Sequence, residues 1–157
     1  MPPEFPRFRP ATDVTGSVPL FVDTNAIVAH EYARASRHDE VRPVMRAIGR
    51  NDLPYYPLVT NQYVLDEVVS LLLSHASTRV AHQALSRVLD TDTVRVLDVE
   101  PSLVDRAIEQ FRAYDDQSIS LTDHAIAIQA DDRGIEHVFS YDGGIRTLGF
   151  STLPREG

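Results

Sequence analysis

Short apolar runs that favour β-strands alternate with helical patterns along this chain, and no other feature constrains its fold as strongly. The first run, residues 19–23 (PLFVD), leads directly into a helical pattern that starts at Thr24, and clear strand patterns recur at residues 93–99 and 135–142. No hairpin signal separates successive strands, so right-handed helical crossovers are expected between them. The alternation predicts an α/β fold: a small, mainly parallel central sheet of four to five strands flanked by helices.

Apolar spacing and capping residues predict the remaining elements. Thr60 is a natural N-cap for the long apolar helix that follows it, and Ser120 or Thr122 is expected to cap the last long helix. Residues 53–59 (LPYYPLV) predict only a short edge strand, because proline cannot donate a hydrogen bond within a central strand. Beyond the helix that starts at Thr24, helices are predicted at residues 39–49, 60–75, 79–89, 101–114 and 120–134.

Length and N-terminal composition indicate one domain preceded by an arm. A chain of 157 residues with 43% hydrophobic residues can bury one sizeable core. Residues 1–17 hold four of the ten prolines and no periodic pattern, so an extended arm is expected there, with residues 18–157 as the domain. The sequence has neither a long apolar run nor a signal-peptide pattern, so a cytoplasmic protein without a membrane span is expected.

The residue types that the chain lacks exclude several kinds of site. Without cysteine, disulfides and thiolate metal sites are impossible, and any metal must be bound by oxygen or imidazole. All fifteen basic residues are arginine, so a P-loop and the lysine-dependent sites of receiver domains and haloacid-dehalogenase-like phosphatases are excluded. The net charge of −8 argues against an indiscriminate polyanion binder, although cation-binding carboxylates would contribute to that charge.

Three acids stand at the starts of helices or the ends of strands. Asp23 follows LFV and Asp142 follows VFSY, so both are expected at the carboxyl ends of parallel strands, where open α/β sheets bind ligands. Asp123 lies in the first turn of a predicted helix, where the helix dipole favours a negative charge. Taken singly, such acids are more often capping or turn residues than ligands.

Glu67 is the most informative acid in the sequence. Its neighbours one helical turn away are apolar, so its carboxylate is expected on the buried stripe of a helix. A carboxylate there needs a cation, a proton or an arginine as partner, and the sequence leaves that choice open. Asp66, with polar neighbours, is expected in solvent. The apolar neighbours of Glu67 are Tyr63, Val64, Val68 and Leu71.

Four motifs containing these acids occur in a fixed order. They are a strand ending in Asp-Thr-Asn (LFVDTNAIV), an acid in an apolar helix (TNQYVLDEVVSLLL), a Ser/Thr-rich lead into an aspartate (SISLTDHAIAIQA), and a hydroxyl and an aspartate after a strand (VFSYDGG). Over about residues 19–153 the chain resembles the PIN-domain endoribonucleases, most closely the small toxins of VapBC-type toxin–antitoxin pairs. One departure is that Gly143 and Gly144 stand where a charged residue and an aromatic usually follow the last aspartate.

The resemblance implies a catalytic and metal-binding site formed by the acids of the four motifs. Mg²⁺ or Mn²⁺ is the implied cofactor, in keeping with the preference of hard cations for oxygen ligands. We expect Asp23, Glu67 and Asp123 to bind the catalytic metal, and Asp142, the most dispensable acid, to bind a second or outer-sphere ion. Supporting roles are expected for the neighbouring polar residues Thr24, Asn25, Thr122 and Ser140.

The implied function is metal-dependent hydrolysis of RNA phosphodiester bonds by a toxin whose protein partner is an antitoxin. Two alternatives remain at this point: an RNA-processing or quality-control nuclease of the same fold, and a PIN-like module that binds RNA or protein without cleavage. The surplus of Leu and Val in residues 60–89 favours a homodimer interface or an antitoxin-binding surface. Arg42, Arg46 and Arg50 recur at four-residue steps, as a basic ridge for RNA or an acidic partner would, although a solvated helix face is the commoner reason for such spacing.

Overall fold

Five parallel strands form the centre of the protein. The structure is a computed structural model that describes residues 4–12 and 14–155. Within these residues the sheet has the strand order β3-β2-β1-β4-β5, and each neighbouring pair is parallel. The predicted α/β class with a mainly parallel sheet is therefore confirmed. The strands are β1 (Val18–Val22), β2 (Tyr55–Asn61), β3 (Val94–Leu97), β4 (His137–Phe139) and β5 (Ser151–Leu153).

Helices connect the strands, and their order places a ligand-binding edge. The chain passes from β1 to β2 and β3 on one side, then returns to β4 and β5 on the other side of β1. The strand order thus reverses between β1 and β4, and ligands bind at the carboxyl ends of strands at such a switch point. The helices of the described chain are α1 (Thr24–Glu31), α2 (His38–Gly49), α3 (Gln62–His75), α4 (Thr78–Asp90), α5 (Pro101–Ala113), α6 (Leu121–Asp132) and α7 (Gly143–Thr147).

The prediction of an edge strand at residues 53–59 is wrong, because β2 lies inside the sheet between β1 and β3. Its register against β1 shifts: Val18 faces Tyr55, but Leu20 faces Leu58, so β2 contains one extra residue there. Pro57 lies in this irregular stretch, where the ladder does not require its missing N–H. The short elements α7 and β5 were not predicted, since their few residues carry no measurable periodicity.

The N-cap of α3 also differs from the prediction. Asn61, the last residue of β2, caps the helix: its side-chain oxygen accepts a hydrogen bond from the Val64 N–H at 2.9 Å. Thr60 instead donates its hydroxyl to the carbonyl of Val22 at 3.0 Å, which ties β2 to β1. At α6, Ser120 rather than Thr122 is the cap.

The segment before β1 packs on the domain. It contains a short 3-10 helix at Pro6–Phe8, and Phe8 is buried with its ring centre 5.6 Å from that of Phe139 in β4. The Tyr55 hydroxyl donates to the carbonyl of Phe8 at 2.6 Å. The division of the chain into an arm and one domain stays a prediction, and residues 1–3 lie outside the described part.

None of the helices in the described residues combines the length and the apolar character that a membrane crossing requires.

Candidate metal centre

The carboxyl ends of β1 and β4 hold the first part of the site. Asp23 follows β1 directly and caps α1, accepting a hydrogen bond from the Thr24 N–H at 2.7 Å. Its other oxygen accepts the Ser140 hydroxyl, from the residue after β4, at 2.7 Å. The same Ser140 oxygen accepts the Asp142 N–H at 3.0 Å. The adjacency of two strand ends therefore orients Asp23, which is only 3% exposed.

Asp123 and Asp142 complete a tight group of acids. Asp123 lies in the first turn of α6, where its N–H donates to Ser120 at 3.1 Å, and its side chain is buried. Asp142 is exposed and caps α7 by accepting the Gly144 N–H at 2.9 Å. One carboxylate oxygen from each of Asp23, Asp123 and Asp142 lies within 4.8 Å of the other two. Three oxygens in this arrangement suit a hard divalent cation.

Burial and like charges raise the pKa values of these acids. The pKa of Asp23 is raised above its usual value mainly by burial, and the carboxylates of Asp142 and Glu67 raise it further, while the hydrogen bond from Ser140 opposes them. Burial first, and then the neighbouring carboxyl of Asp142, raise the pKa of Asp123 to about 8. The ionised cluster is therefore unfavourable by itself, and a bound cation would relieve the repulsion.

Two observations test whether the site fits a cation. The buried Oδ2 of Asp123 has no hydrogen-bond donor among the described residues; the nearby carboxyl of Asp142 can hydrogen-bond to it only if one of the two is protonated. A Cβ added to Gly144 would lie 3.3 Å from both that oxygen and Asp142 Oδ1. The glycine thus keeps open the space that these oxygens face, and the residues present fit a divalent cation.

Glu67 lies one hydrogen bond away from this group. The Thr24 hydroxyl donates to Glu67 Oε2 at 2.9 Å. Because Thr24 directly follows Asp23 in the chain, this one threonine links Glu67 to Asp23. Glu67 is half-buried beside the apolar stripe of α3, whereas Asp66 is exposed, as expected. Asp142, and not Glu67, therefore lies within the tight group that contains Asp23 and Asp123. We had expected Glu67 to bind the catalytic metal together with those two acids.

The expected supporting residues surround the acids, together with others that we did not predict. Asn25 accepts the Tyr141 N–H at 3.1 Å and so fixes the loop after β4 to α1, and Thr122 is buried next to Asp123 in the chain. Asn61 donates to Gln129 at 2.8 Å, a buried polar pair missed from the sequence. Gln129 stands within the apolar run AIAIQA, so the reasoning applied to Glu67 would have found it.

The predicted arginine ridge lies on the solvent-facing side of α2 and just beyond it. Arg42, Arg46 and Arg50 are all exposed. Arg50 follows the end of the helix and donates to the carboxylate of Asp52 at 3.0 Å. The role of these residues in binding RNA or a partner stays a prediction.

A second region is found at the other end of α1. A cavity of about 650 Å³ opens between α1, α2, α4 and the sheet, and its lining includes none of the four acids of the site. Its wall includes Glu31, whose side chain is 4% exposed and accepts a hydrogen bond from Arg87 at 2.6 Å. The buried acid in this region therefore has an arginine as its partner.

Comparison with known proteins identifies the family. A model of the PIN domain matches residues 20–151, which is most of the chain. The chain therefore belongs to the PIN-domain family, and the resemblance drawn from the four motifs is confirmed. No curated protein gives a significant sequence match.

Solved structures of toxins share this fold. VapC20 from Mycobacterium tuberculosis, described as a toxin that cleaves the sarcin–ricin loop, is 26% identical, with 83% of this chain and 95% of that chain covered and a TM-score of 0.74. A toxin–antitoxin complex from Klebsiella pneumoniae is 16% identical over 88% of this chain and 99% of that chain, with a TM-score of 0.58. VapBC2 from Rickettsia felis, bound to a promoter DNA fragment, is 12% identical over 84% of this chain and 94% of that chain, with a TM-score of 0.59. The VapC-type resemblance is thus confirmed, while the last two likenesses concern the fold alone.

Proposed function

We propose that the protein is a Mg²⁺- or Mn²⁺-dependent endoribonuclease that acts in the cytoplasm as the toxin of a toxin–antitoxin pair. One observation carries this proposal: three carboxylates from separate parts of a PIN domain converge within 4.8 Å, and a buried oxygen of Asp123 has no donor among the described residues. A cluster of this kind is unfavourable without a cation, so a function that uses a cation explains it best.

The residues of the chain have separate tasks in this proposal. Asp23, Asp123 and Asp142 hold the cation, and Ser140 fixes the orientation of Asp23 through its 2.7 Å hydrogen bond. When bound, the metal supplies Lewis acidity toward the attacking water and the scissile phosphate. Glu67, held by the Thr24 hydroxyl, borders the cluster and orients a water or a second ion.

The proposed substrate is RNA, and the proposed protein partners are an antitoxin and a second copy of the chain. The relative with the highest identity among those described cleaves the sarcin–ricin loop, so that ribosomal RNA hairpin is the first substrate to test. A structural neighbour is a toxin–antitoxin complex, which supports an antitoxin as partner. Leu71, Leu73 and Leu89 on α3 and α4 are 38%, 51% and 56% exposed, so these helices offer apolar surface for either interface.

The test is cleavage of end-labelled RNA by the purified protein. A sarcin–ricin loop hairpin and a set of tRNAs are incubated with Mg²⁺, Mn²⁺ or EDTA, and products are separated by gel electrophoresis. We expect cleavage with either metal, none with EDTA, and none by Asp23→Asn at unchanged fold by circular dichroism. The matched control is Asp66→Asn, an exposed acid beside Glu67, which should cleave as the wild type does. Full activity of Asp23→Asn would refute the assignment, and metal-independent RNA binding without cleavage would favour a non-catalytic module.

A further inference from the structure

An arginine packs on the ring of a tyrosine in the loop that carries Asp142. The guanidinium carbon of Arg37, the residue before α2, is 4.5 Å from the centre of the Tyr141 ring. Tyr141 stands between Ser140 and Asp142 in the chain, so its Cα lies about 3.8 Å from theirs. The backbone that carries the ring therefore lies between two residues of the candidate metal centre, while the ring itself extends to Glu40 of α2.

Hydrogen bonds hold the tyrosine ring in place. The Tyr141 hydroxyl donates to Glu40 Oε2 at 2.8 Å, and its backbone N–H donates to Asn25 at 3.1 Å. The Phe139 ring supports it from the strand side, with the ring centres 6.3 Å apart. Glu40 also lies 3.8 Å from the Arg37 guanidinium. The guanidinium is thus kept in a defined position over the ring, and less side-chain freedom is lost if it binds a ligand.

The outward side of this pair is exposed and carries a surplus of positive charge. The side chains of Arg37 and Arg7 are 56% and 52% exposed, and both contact the single carboxylate of Glu40. Arg7, Arg37 and Glu40 together therefore carry two positive charges and one negative charge, a net charge of +1. In a chain of net charge −8, this exposed positive charge is attached through Tyr141 to the loop that carries Asp142, so it attracts a polyanion bound at Asp142 toward this side of the loop.

We propose that Arg37, held on the Tyr141 ring, binds the RNA nucleotide next to the scissile phosphate. This inference rests on the proposed RNA-cleaving function. One face of the guanidinium packs on the tyrosine, and the other face stacks on the nucleobase, while its N–H groups donate to the adjoining phosphate. A purely structural role, in which the pair only anchors the start of α2, would leave RNA binding unaffected.

The test compares Arg37→Ala with a matched loss of charge elsewhere. Arg79 is an exposed arginine at the start of α4. The length of α3 separates it from the end of the sheet that holds the acids, a distance of about 20 Å at a rise of about 1.5 Å per residue. Cleavage of the sarcin–ricin loop hairpin by the full chain should show KM raised about tenfold for Arg37→Ala, with kcat within about twofold of the wild type. Arg79→Ala should match the wild type. Arg37→Lys, which keeps the charge but not the planar face, should recover only part of the loss.

A binding measurement separates this inference from the proposed function. Affinity for the fluorescein-labelled hairpin is measured by anisotropy in the Asp23→Asn background, where RNA is bound but not cut, at several salt concentrations. Arg37→Ala should weaken binding about tenfold and lower the salt slope by about one, at an unchanged melting temperature. Equal affinities for the Arg37→Ala and Arg79→Ala variants, or full recovery by Arg37→Lys, would overturn the proposal. A wild type that binds through Arg37 but cleaves no RNA would refute the nuclease function alone.

Discussion

The two ends of helix α1 bury carboxylates in opposite ways. At its C-terminal end, Glu31 is paired with Arg87 at 2.6 Å. At its N-terminal end, Asp23 lies with Asp123 and Asp142, and the charges that affect the pKa values of Asp23 and Asp123 come from other carboxylates. About 12 Å of helix separates the two ends. A buried acid is therefore not in itself a functional signal, because its partners distinguish a structural ion pair from a candidate cation site.

The largest difference is expected when one acid of the cluster is neutralised. Asp123→Asn should lower metal-dependent RNA cleavage on the order of 1,000-fold, equivalent to about 4 kcal/mol, because it removes a ligand without changing side-chain volume. Single-turnover cleavage at saturating Mn²⁺ measures the loss. Asp131→Asn, an exposed acid at the far end of the same helix, is the control and should cleave normally. A variant Asp123→Asn that cleaves within tenfold of the wild type would remove Asp123 from the site.

Without metal, the carboxylate cluster should make stability fall as pH rises. The pKa of Asp123 is about 8 in the folded protein against 3.8 as the usual value, so the folded state binds more protons between these limits. This contribution to stability is complete below about pH 4 and is lost as pH rises through about 8. We expect the free energy of unfolding to fall by about 3 kcal/mol as pH rises through this range. In EDTA, which keeps the protein free of metal, this loss should lower the melting temperature at alkaline pH.

The matched comparison for this pH effect is the variant Asp123→Asn. Burial lowers the pKa values of His30, His124 and His137. These histidines make stability rise with pH near about pH 6, which opposes the effect of Asp123. The informative quantity is therefore the wild-type melting temperature minus that of the variant, measured in EDTA from pH 5 to pH 9. It should decrease with rising pH, and a constant difference would contradict the raised pKa of Asp123.

At the other end of α1, removing the arginine should destabilise the fold without affecting cleavage. Arg87→Ala leaves the buried carboxylate of Glu31 without its partner and should lower the free energy of unfolding by about 2 kcal/mol, a value reduced because Arg87 is largely exposed. Urea unfolding measures the change, with Arg79→Ala on the same helix as control. The double variant Glu31→Gln with Arg87→Ala should recover part of the stability. If Arg87→Ala impaired RNA cleavage at full stability, the two ends of α1 would not be functionally distinct.

The smallest effect is expected from filling the space beside the cluster. Gly144→Ala places a methyl group 3.3 Å from Asp123 Oδ2 and Asp142 Oδ1 and should weaken activation by Mn²⁺ about tenfold, or about 1.4 kcal/mol. The Mn²⁺ concentration for half-maximal cleavage measures this. Gly143→Ala, whose Cβ would meet Arg146 at 3.8 Å, is the control, and equal Mn²⁺ requirements in the two variants would contradict the packing argument.

Much of the fold and the identity of the acids could be predicted because they depend on local patterns. Apolar runs ending in acids predicted Asp23, which directly follows β1, and Asp142, which lies three residues beyond the end of β4; an acid among apolar neighbours singled out Glu67. The switch point between β1 and β4 then brings these patterns together by general rules of α/β sheets.

The rest could not be predicted because it depends on contacts between distant residues. The register shift that admits Pro57 into an inner strand is a property of pairing with β1. The Thr24 hydroxyl that holds Glu67 just outside the tight group and the packing of Arg37 on Tyr141 follow no local spacing. Local sequence identifies candidate acids, but only the folded chain shows that Glu31 has an arginine partner and that Asp23 has carboxylates.

Calorimetric titration of Mn²⁺ into the metal-free protein tests the proposed metal centre most directly. We predict saturable binding by the wild type and by Asp131→Asn, and its loss in Asp123→Asn, since the buried oxygen of Asp123 is the proposed ligand that has no hydrogen-bond donor among the described residues. Absence of binding by the wild type, or equal binding by the wild type and Asp123→Asn, would contradict the claim that this cluster is a metal centre.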